Sequence, residues 1–262
     1  AISDTAQIAS QVSLVDRDLD EAELGGTVTW TTAPDETLVV AYRVYLAATA
    51  AGSARTRVGS LAAGVNETQL PVDTALGTLG YALVYARSAL VEQTTPAAFA
   101  LIDSQANVSD IAFPDLDLDT SDVGGTITWQ QPADVSLVEH YAVYLAADEA
   151  GASRSQVSDL IGLGTSAVAV LVDTAVNAAA SVVVYTKSSL VEQSTPSSLA
   201  LSDTFAGVSN VSLVDEDLDA EDLGGVVTWT PPDETTYVQH YLAYFSYDAN
   251  ATNRSQMADT VA

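Results

Sequence analysis

The sequence predicts an all-β protein made of tandem β-sandwich repeats of about 100 residues each. The stretch at residues 12–30 returns at residues 110–129 and again at residues 211–229, which gives the chain an internal period. Short segments of alternating apolar and polar residues follow one another at regular spacing, and turn residues separate them. No segment has a convincing helical period, so strands account for the whole pattern.

Each copy of the repeat has the same order of features. A short apolar run leads into alternating carboxylates, a Gly-Gly pair and an alternating strand that ends in Trp30, Trp129 or Trp229. About 100 residues can bury one core without disulfides. We therefore expect four segments: residues 1–10 as the end of a preceding repeat or a linker, 11–104 as repeat 1, 105–204 as repeat 2 and 205–262 as a partial repeat 3.

The first repeat sets out the predicted strands in order. A strand at residues 12–15 precedes an acidic segment at 16–23, which is too charged for a buried strand and is expected to be an edge or a loop. Gly25 and Gly26 then predict a turn or a bulge. Further strands are expected at residues 27–30, 39–47, 68–72, 81–88 and 96–103, with room for a short strand within the connection at 48–60.

Alternation assigns the faces of the predicted strand at residues 39–47. Tyr42, Val44 and Leu46 share one face because they are two residues apart, and Tyr45 takes the other.

The second repeat follows the same order, whereas the third has only the front half of the pattern. We expect the chain to continue beyond Ala262, and the alternative is that a neighbouring subunit supplies the remaining strands by β-augmentation.

Several segments resemble parts of fibronectin type III domains. Trp229, followed by Pro-Pro-Asp, is similar to the B strand and BC turn. The Tyr-x-x-Tyr strands resemble strand C, and residues 185–201 resemble strand F, the FG loop and a Pro-led strand G. Tyr81 fits the tyrosine corner of that family, but in repeat 2 the matching position is occupied by Ser181. The connection between strands A and B is also longer and more acidic than is usual in the family. The resemblance implies tandem fibronectin III-like or immunoglobulin-like repeats of a large extracellular or surface protein, with scaffold, spacer or binding roles.

The composition excludes several classes of function. The chain has 35 acidic and 8 basic residues, which argues against nucleic acid as a partner because phosphate binding needs basic patches. It has no cysteine, which excludes disulfides, thiol catalysis and sulfur-ligated metals. Its two histidines, His140 and His240, have no counterpart in repeat 1, where Ala41 stands. We therefore predict no catalytic site, no organic cofactor and no membrane span in this segment.

The alternating aspartates are the candidate metal ligands. Like charges on one face repel unless a cation neutralises them, and Ca²⁺ takes six to eight oxygen ligands. In a type III sandwich, which the resemblance implies, the AB turn, the EF turn and the end of strand G meet at one pole. The predicted calcium ligands are therefore Asp16, Asp18, Asp20, Asp73 and Asp103 in repeat 1; Asp115, Asp117, Asp119, Asp173 and Asp203 in repeat 2; and Asp215, Asp217 and Asp219 in repeat 3.

The alternative interpretation is that these carboxylates are solvated edge charges, which protect a sheet from edge-to-edge pairing. A strict twelve-residue EF-hand loop is absent. Six nearby residues are weaker candidate ligands because they vary between the copies: Glu21, Glu23, Ser121, Asp122, Glu221 and Asp222.

Five of the six asparagines begin an Asn-x-Ser/Thr sequence, where about one would be expected by chance. The alternative is that Asn simply falls in loops rich in Ser and Thr. We predict N-glycosylation, and hence an extracellular or cell-surface location, with acceptors at Asn66, Asn107, Asn210, Asn250 and Asn253.

Together these features predict a structural extracellular repeat protein. Neighbouring repeats or subunits would form an extended rod or filament, and calcium at the domain junctions would stiffen it. The alternatives are an adhesion or recognition module that binds protein or glycan through its loops, and an accessory region of a larger secreted enzyme.

Overall fold

The computed structural model describes residues 6–257, and within that range the protein is all-β, with no helix. No segment there could therefore cross a membrane as a long apolar helix. The strands of the first repeat are β1 (Ser10–Asp16), β2 (Glu23–Thr31), β3 (Ala41–Ala47), β4 (Thr56–Ala62), β5 (Glu67–Ala75), β6 (Tyr81–Arg87) and β7 (Ala97–Ala100). Those of the second are β8 (Ser109–Ala112), β9 (Asp122–Gln130), β10 (His140–Ala146), β11 (Ser155–Gln156), β12 (Ile161–Gly162), β13 (Ala167–Ala175), β14 (Ser181–Lys187) and β15 (Ser197–Ala200). The third contributes β16 (Ser209–Leu213), β17 (Val227–Thr230), β18 (Tyr244–Phe245) and β19 (Ser255–Gln256).

The first repeat is a fibronectin III-like, immunoglobulin-like β-sandwich. One antiparallel sheet has the order β1-β2-β5 and the other β4-β3-β6-β7. Their facing residues form one buried core, in which Trp30 lies 5.9 Å from Tyr42 between ring centroids. Tyr42, Val44 and Leu46 all enter this core, as predicted from their alternation. Burial of such side chains is the main stabilising contribution to a sandwich of this size.

Tyr45 lies on the other face of β3, also as predicted, and packs with Leu83 and Tyr85 in a smaller cluster. The guanidinium of Arg55 lies 4.6 Å from both tyrosine ring centroids and 3.0 Å from a carboxylate oxygen of Glu92. The arrangement recurs in the second repeat. There the guanidinium of Arg154 lies over the rings of Tyr144 and Tyr185 and forms a salt bridge with Glu192. The sequence interpretation did not anticipate these arginines.

Gly25 and Gly26 lie where the pairing of β2 with β5 is irregular. Leu24 pairs with Thr74 and Gly26 pairs with Leu70, so the extra residues of the bulge lie on β5, opposite Gly25. Gly26 has a φ of 150°, and a Cβ atom there would lie 2.5 Å from the backbone oxygen of Val15. Only glycine fits, because both the backbone conformation and the neighbouring strand exclude a side chain.

Several strands differ in extent from their predicted bounds. β2 and β5 are longer than the segments expected at residues 27–30 and 68–72, β4 begins within the connection at 48–60 and extends beyond it, and β7 is shorter than residues 96–103. β7 ends early because the following residues leave the sheet: Asp103 accepts a hydrogen bond from the amide of Ala22, and Ser104 donates one to Asp16.

The chain divides into two compact units, whose borders do not follow the repeats. The first comprises Ala1–Ala112, Thr128–Val168 and Ala178–Leu201. Besides the first sandwich it holds a sheet in which β10 pairs with β11, β12 and β14, and β14 pairs with β15; here Trp129 packs on Tyr141 at 5.4 Å. The predicted domain boundaries stay a prediction.

The second unit comprises Phe113–Ile127, Ala169–Asn177 and Ser202–Ala262. It contains the acidic loop of the second repeat and the front half of the third. There β16 pairs with β17, β18 pairs with β19, and Trp229 lies 5.5 Å from Tyr241. Apolar side chains of this third repeat, among them Trp229 and Tyr241, line an open cavity of about 330 Å³.

Candidate metal site in the acidic loops

The acidic loop of the first repeat joins β1 to β2, and its aspartates hold the loop together. The amide of Asp18 donates to Asp16 Oδ1 at 3.2 Å, and the amide of Asp20 donates to Asp18 Oδ1 at 3.3 Å. Asp side chains commonly accept a hydrogen bond from the amide two residues further on. The alternating pattern therefore has a folding role that the sequence interpretation did not consider.

Asp16 is buried and accepts hydrogen bonds from three backbone amides. Besides Asp18 they are Gly25, at 2.9 Å, and Ser104, at 2.9 Å. Burial raises the pKa of this carboxyl group although the three hydrogen bonds oppose the shift. Asp16 thus fastens the loop to Gly25 of β2 and to the chain beyond β7.

Asp18 and Asp20 connect the loop to two further segments. Asp18 Oδ2 accepts a hydrogen bond from the amide of Asp73, within β5, at 2.7 Å. The carboxylate of Asp20 accepts hydrogen bonds from the amides of Ser194, at 2.6 Å, and Thr195, at 2.9 Å, in the second repeat. Both aspartates are buried, and all these residues belong to the first unit.

Four carboxylates converge at this place: Asp18, Asp20, Glu23 and Asp73 each offer one oxygen, and these oxygens all lie within 4.8 Å of one another. Within residues 6–257, no ion pair includes any of the four. Such a set of hard oxygen donors fits a divalent cation such as Ca²⁺.

Glu23 is repelled by the neighbouring carboxylates, and none of its described contacts offsets this repulsion. Its Oε2 atom is buried and has no hydrogen-bond partner within the described residues. Burial raises the pKa of this carboxyl group, and the charges of Asp18, Asp20 and Asp73 raise it further. The sequence rated Glu23 as a weaker candidate. Its position at the start of β2, beside the bulge, could have indicated that Glu23 is a stronger candidate metal ligand.

Asp16 and Asp103, although predicted as ligands, lie outside this group of four. Asp103 Oδ2 accepts hydrogen bonds from the amide of Ala22 and from Gln105 Nε2, both at 3.0 Å. Its Oδ1 atom is buried without a hydrogen-bond partner among the described residues.

The second repeat has a similar arrangement with a smaller group of carboxylates. Asp115 accepts hydrogen bonds from three backbone amides, as Asp16 does. Asp117 accepts one from the amide of Asp173 at 2.7 Å, and together with Asp119 these two form a group of three carboxylates. Asp122, the counterpart of Glu23, and Asp203 lie outside this group; Asp203 instead accepts a hydrogen bond from the amide of Ser121.

The third acidic loop is exposed. Asp215 accepts hydrogen bonds from the amides of Asp217 and Gly224, and Asp217 accepts one from Asp219. Within the described residues these three aspartates join no carboxylate group of the kind found in the first two repeats.

The five predicted glycan acceptors are all exposed, as an acceptor must be: Asn66, Asn107, Asn210, Asn250 and Asn253. Two of their side chains already make hydrogen bonds. Asn107 Oδ1 accepts one from Gln193 at 2.8 Å, and Asn210 Nδ2 donates one to Thr230 at 3.2 Å. Their modification stays a prediction.

Comparison with known proteins shows no family for this chain. No protein-family model matches the chain, and no curated protein matches it. Among solved structures, the crystal structure of the FN1–FN3 domains of chicken CNTN1 is similar, with 14% sequence identity and a TM-score of 0.29. The alignment covers 77% of this chain and 67% of that one. Because this TM-score is too low to support a fold assignment, the assignment rests on the strand order of the first repeat.

Proposed function

We propose that the chain is a structural, non-enzymatic segment of an extracellular rod, in which Ca²⁺ bound by the acidic loops stiffens the junctions between repeats. The observation that carries this proposal is the group of Asp18, Asp20, Glu23 and Asp73 in the first unit. It combines four converging carboxylates with a residue, Asp20, that also binds the backbone of the next repeat.

A divalent ion at this group would act on the junction through Asp20. Holding Asp20 together with Asp18 and Asp73 would fix the acidic loop relative to β5 and to the loop at Ser194. The ion would also relieve the repulsion that Glu23 experiences. Extracellular modules typically bind Ca²⁺ with dissociation constants of about 10⁻⁴–10⁻³ M, so the junction would be stiff only in calcium-rich surroundings.

The acidic composition and the exposed sequons support an extracellular location and N-glycosylation of the rod. The larger protein and its neighbouring repeats or subunits are the proposed partners.

Calorimetric titration of the protein with Ca²⁺, together with thermal unfolding in Ca²⁺ and in EGTA, tests the proposal. We expect binding in the range given above and a higher melting temperature in Ca²⁺, because the ion binds only the folded state. Glu23→Gln should weaken the binding while leaving the hydrogen bonds of the loop intact.

Glu21→Gln is the matched control, because Glu21 lies in the same loop but is exposed and outside the group. It should leave Ca²⁺ binding unchanged apart from a small long-range effect. Equal melting temperatures in Ca²⁺ and EGTA, or equal effects of the two substitutions, would remove the ion from the proposed function.

A further inference from the structure

Half of the basic residues of this acidic chain lie on one face of the first repeat. The chain has 8 basic residues against 35 acidic ones. Arg43 shares the outer face of β3 with Tyr45, because the two are two residues apart. Arg57 of β4 pairs with Tyr45, and Arg87 of β6 pairs with the residue two positions before Arg43, so both point to that face. Arg55 lies over the Tyr45 ring. We call these four arginines the basic face.

Within residues 6–257 a single carboxylate pairs with the basic face. Glu92 forms ion pairs with Arg43 at 3.2 Å and with Arg55 at 3.0 Å, and it also accepts a hydrogen bond from the Tyr45 hydroxyl at 2.9 Å. Arg57 and Arg87 form no ion pair in this range. The four strands of the sheet contain no acidic residue. The basic face therefore has an excess of positive charge.

The matching part of the second repeat has the opposite charge. Aligned on their shared arginine, residues 47–62 of the first repeat correspond to residues 146–161 of the second. The second segment is acidic at three positions where the first is uncharged, and Gln156 stands at the position of Arg57. We call the three acidic residues the acidic edge, and all of them are exposed: Asp148, Glu149 and Asp159.

The acidic edge also has unpaired charge. Asp148 accepts hydrogen bonds from the amides of Ala150 and Ala152, at 3.1 and 2.9 Å, which hold its loop in shape. The carboxylates of Glu149 and Asp159 form no ion pair among the described residues. The basic face and the acidic edge both belong to the first unit, yet no ion pair there joins them. Their charges are therefore available to another molecule.

We propose that the basic face of one copy binds the acidic edge of a second copy. The two surfaces are complementary in charge, and guanidinium groups form strong hydrogen bonds with carboxylates. At about 0.15 M salt the screening length is about 8 Å, so the charges at the contact decide the interaction although each chain has a formal net charge of −27.

The charge of the whole chain favours this occupant over a long anionic polymer. A sulfated polysaccharide would meet the same arginines, but it would also lie against the acidic surface around them. The acidic edge is compact and brings its charges to the basic face alone.

Each copy carries both surfaces, so two copies either bind each other reciprocally or join successively into a longer assembly. This inference goes beyond the proposed function, because it concerns contacts between separate chains. No ion takes part in it, so working in EGTA separates its failure from a failure of the calcium proposal.

Sedimentation velocity of the 262-residue protein in EGTA, over a range of concentrations, tests the inference. At about 0.1 M salt the average mass should rise with concentration. At about 1 M salt, where the screening length falls to about 3 Å, association should be weaker by about tenfold or more.

Charge reversals locate the two surfaces. Arg57→Glu on the basic face and Asp159→Arg on the acidic edge should each weaken association by about tenfold or more, because like charges then meet. Both side chains are exposed, so neither change threatens the fold. Glu67→Arg is the matched control for Asp159→Arg, since it makes the same change of charge at an exposed residue of β5. It should associate at least as strongly as the unaltered protein.

Mixing the two weakened variants provides the sharper test. The reversed face of one then meets the reversed edge of the other, so the mixture should associate about as strongly as the unaltered protein. A protein that stays monomeric at about 0.1 M salt would overturn the inference, even if it bound a sulfated polysaccharide. So would association that strengthens with salt, that persists in both variants, or that the mixture does not restore.

Discussion

The first and third acidic loops have nearly the same sequence but different surroundings. Asp16, Asp18 and Asp20 are buried, whereas Asp215, Asp217 and Asp219 are exposed. The hydrogen bonds inside each loop are alike, so the loop conformation is local.

The difference lies in the hydrogen bonds that leave the loop. In the first repeat these come from the amides of Ser104, Asp73, Ser194 and Thr195. The comparison teaches that the local sequence forms the aspartate ladder, and that distant backbone amides decide whether it becomes a buried junction.

The largest difference is expected at the first position of the ladder. Asp16→Ala leaves three buried amides without an acceptor, which should lower the free energy of unfolding by about 3 kcal/mol or more. Asp215→Ala, at an exposed site, should cost about 0.5 kcal/mol. Scanning calorimetry of both variants measures the difference, and equal losses would contradict the comparison.

The second difference concerns the contact between repeats. In EGTA, Asp20→Ala should destabilise the first unit by about 2 kcal/mol, because two amides lose a charged acceptor. Hydrogen exchange at Ser194 and Thr195 should become faster. Asp219→Ala is the control and should leave exchange unchanged. Unaltered protection in Asp20→Ala would show that these amides are held by something other than the carboxylate.

A third comparison sets Tyr42 against Tyr141. The Tyr42 hydroxyl accepts a hydrogen bond from the amide of Ala33 at 2.8 Å and donates one to Glu36 at 2.7 Å. The buried Tyr141 hydroxyl has no hydrogen-bond partner within the described residues, because Pro132, which lacks an N–H group, replaces Ala33.

Tyr42→Phe should therefore lower the free energy of unfolding by about 1–2 kcal/mol, whereas Tyr141→Phe should be neutral or slightly stabilising. Urea unfolding measures both. The Tyr42 pKa, raised to about 12 mainly by burial, adds a pH signature. The unfolded chain ionises near its ordinary value of 10, so stability is lost as the pH rises from about 10 to about 12. Tyr42→Phe should flatten this decline, and a decline of unchanged steepness would show that other groups cause it.

The smallest effect is expected from Glu23. Because its pKa is raised in the folded state, chiefly by burial, that state binds a proton more readily than the unfolded chain does. In EGTA, the stability that depends on this proton should be lost as the pH rises from the ordinary value of 4.5 through the raised pKa. The pH dependence of the melting temperature should be weaker in Glu23→Gln. An identical pH profile in that variant would assign the effect to other carboxyl groups.

The sequence by itself determined the repeat, the all-β class, the faces of β3 and the irregularity at Gly25 and Gly26, because periodicity and glycine geometry are local properties. It also marked most of the converging carboxylates. It could not separate Asp16, which binds only backbone amides, from Asp18, which also faces other carboxylates, because both occupy the same alternating pattern.

Only the tertiary structure decided that Glu23 joins the group, that Asp103 does not, and that Leu19 is buried while Leu218 is exposed. These outcomes depend on amides and cavities that lie tens of residues away, or more, in the chain. A side chain has no access to them until the sheets have packed.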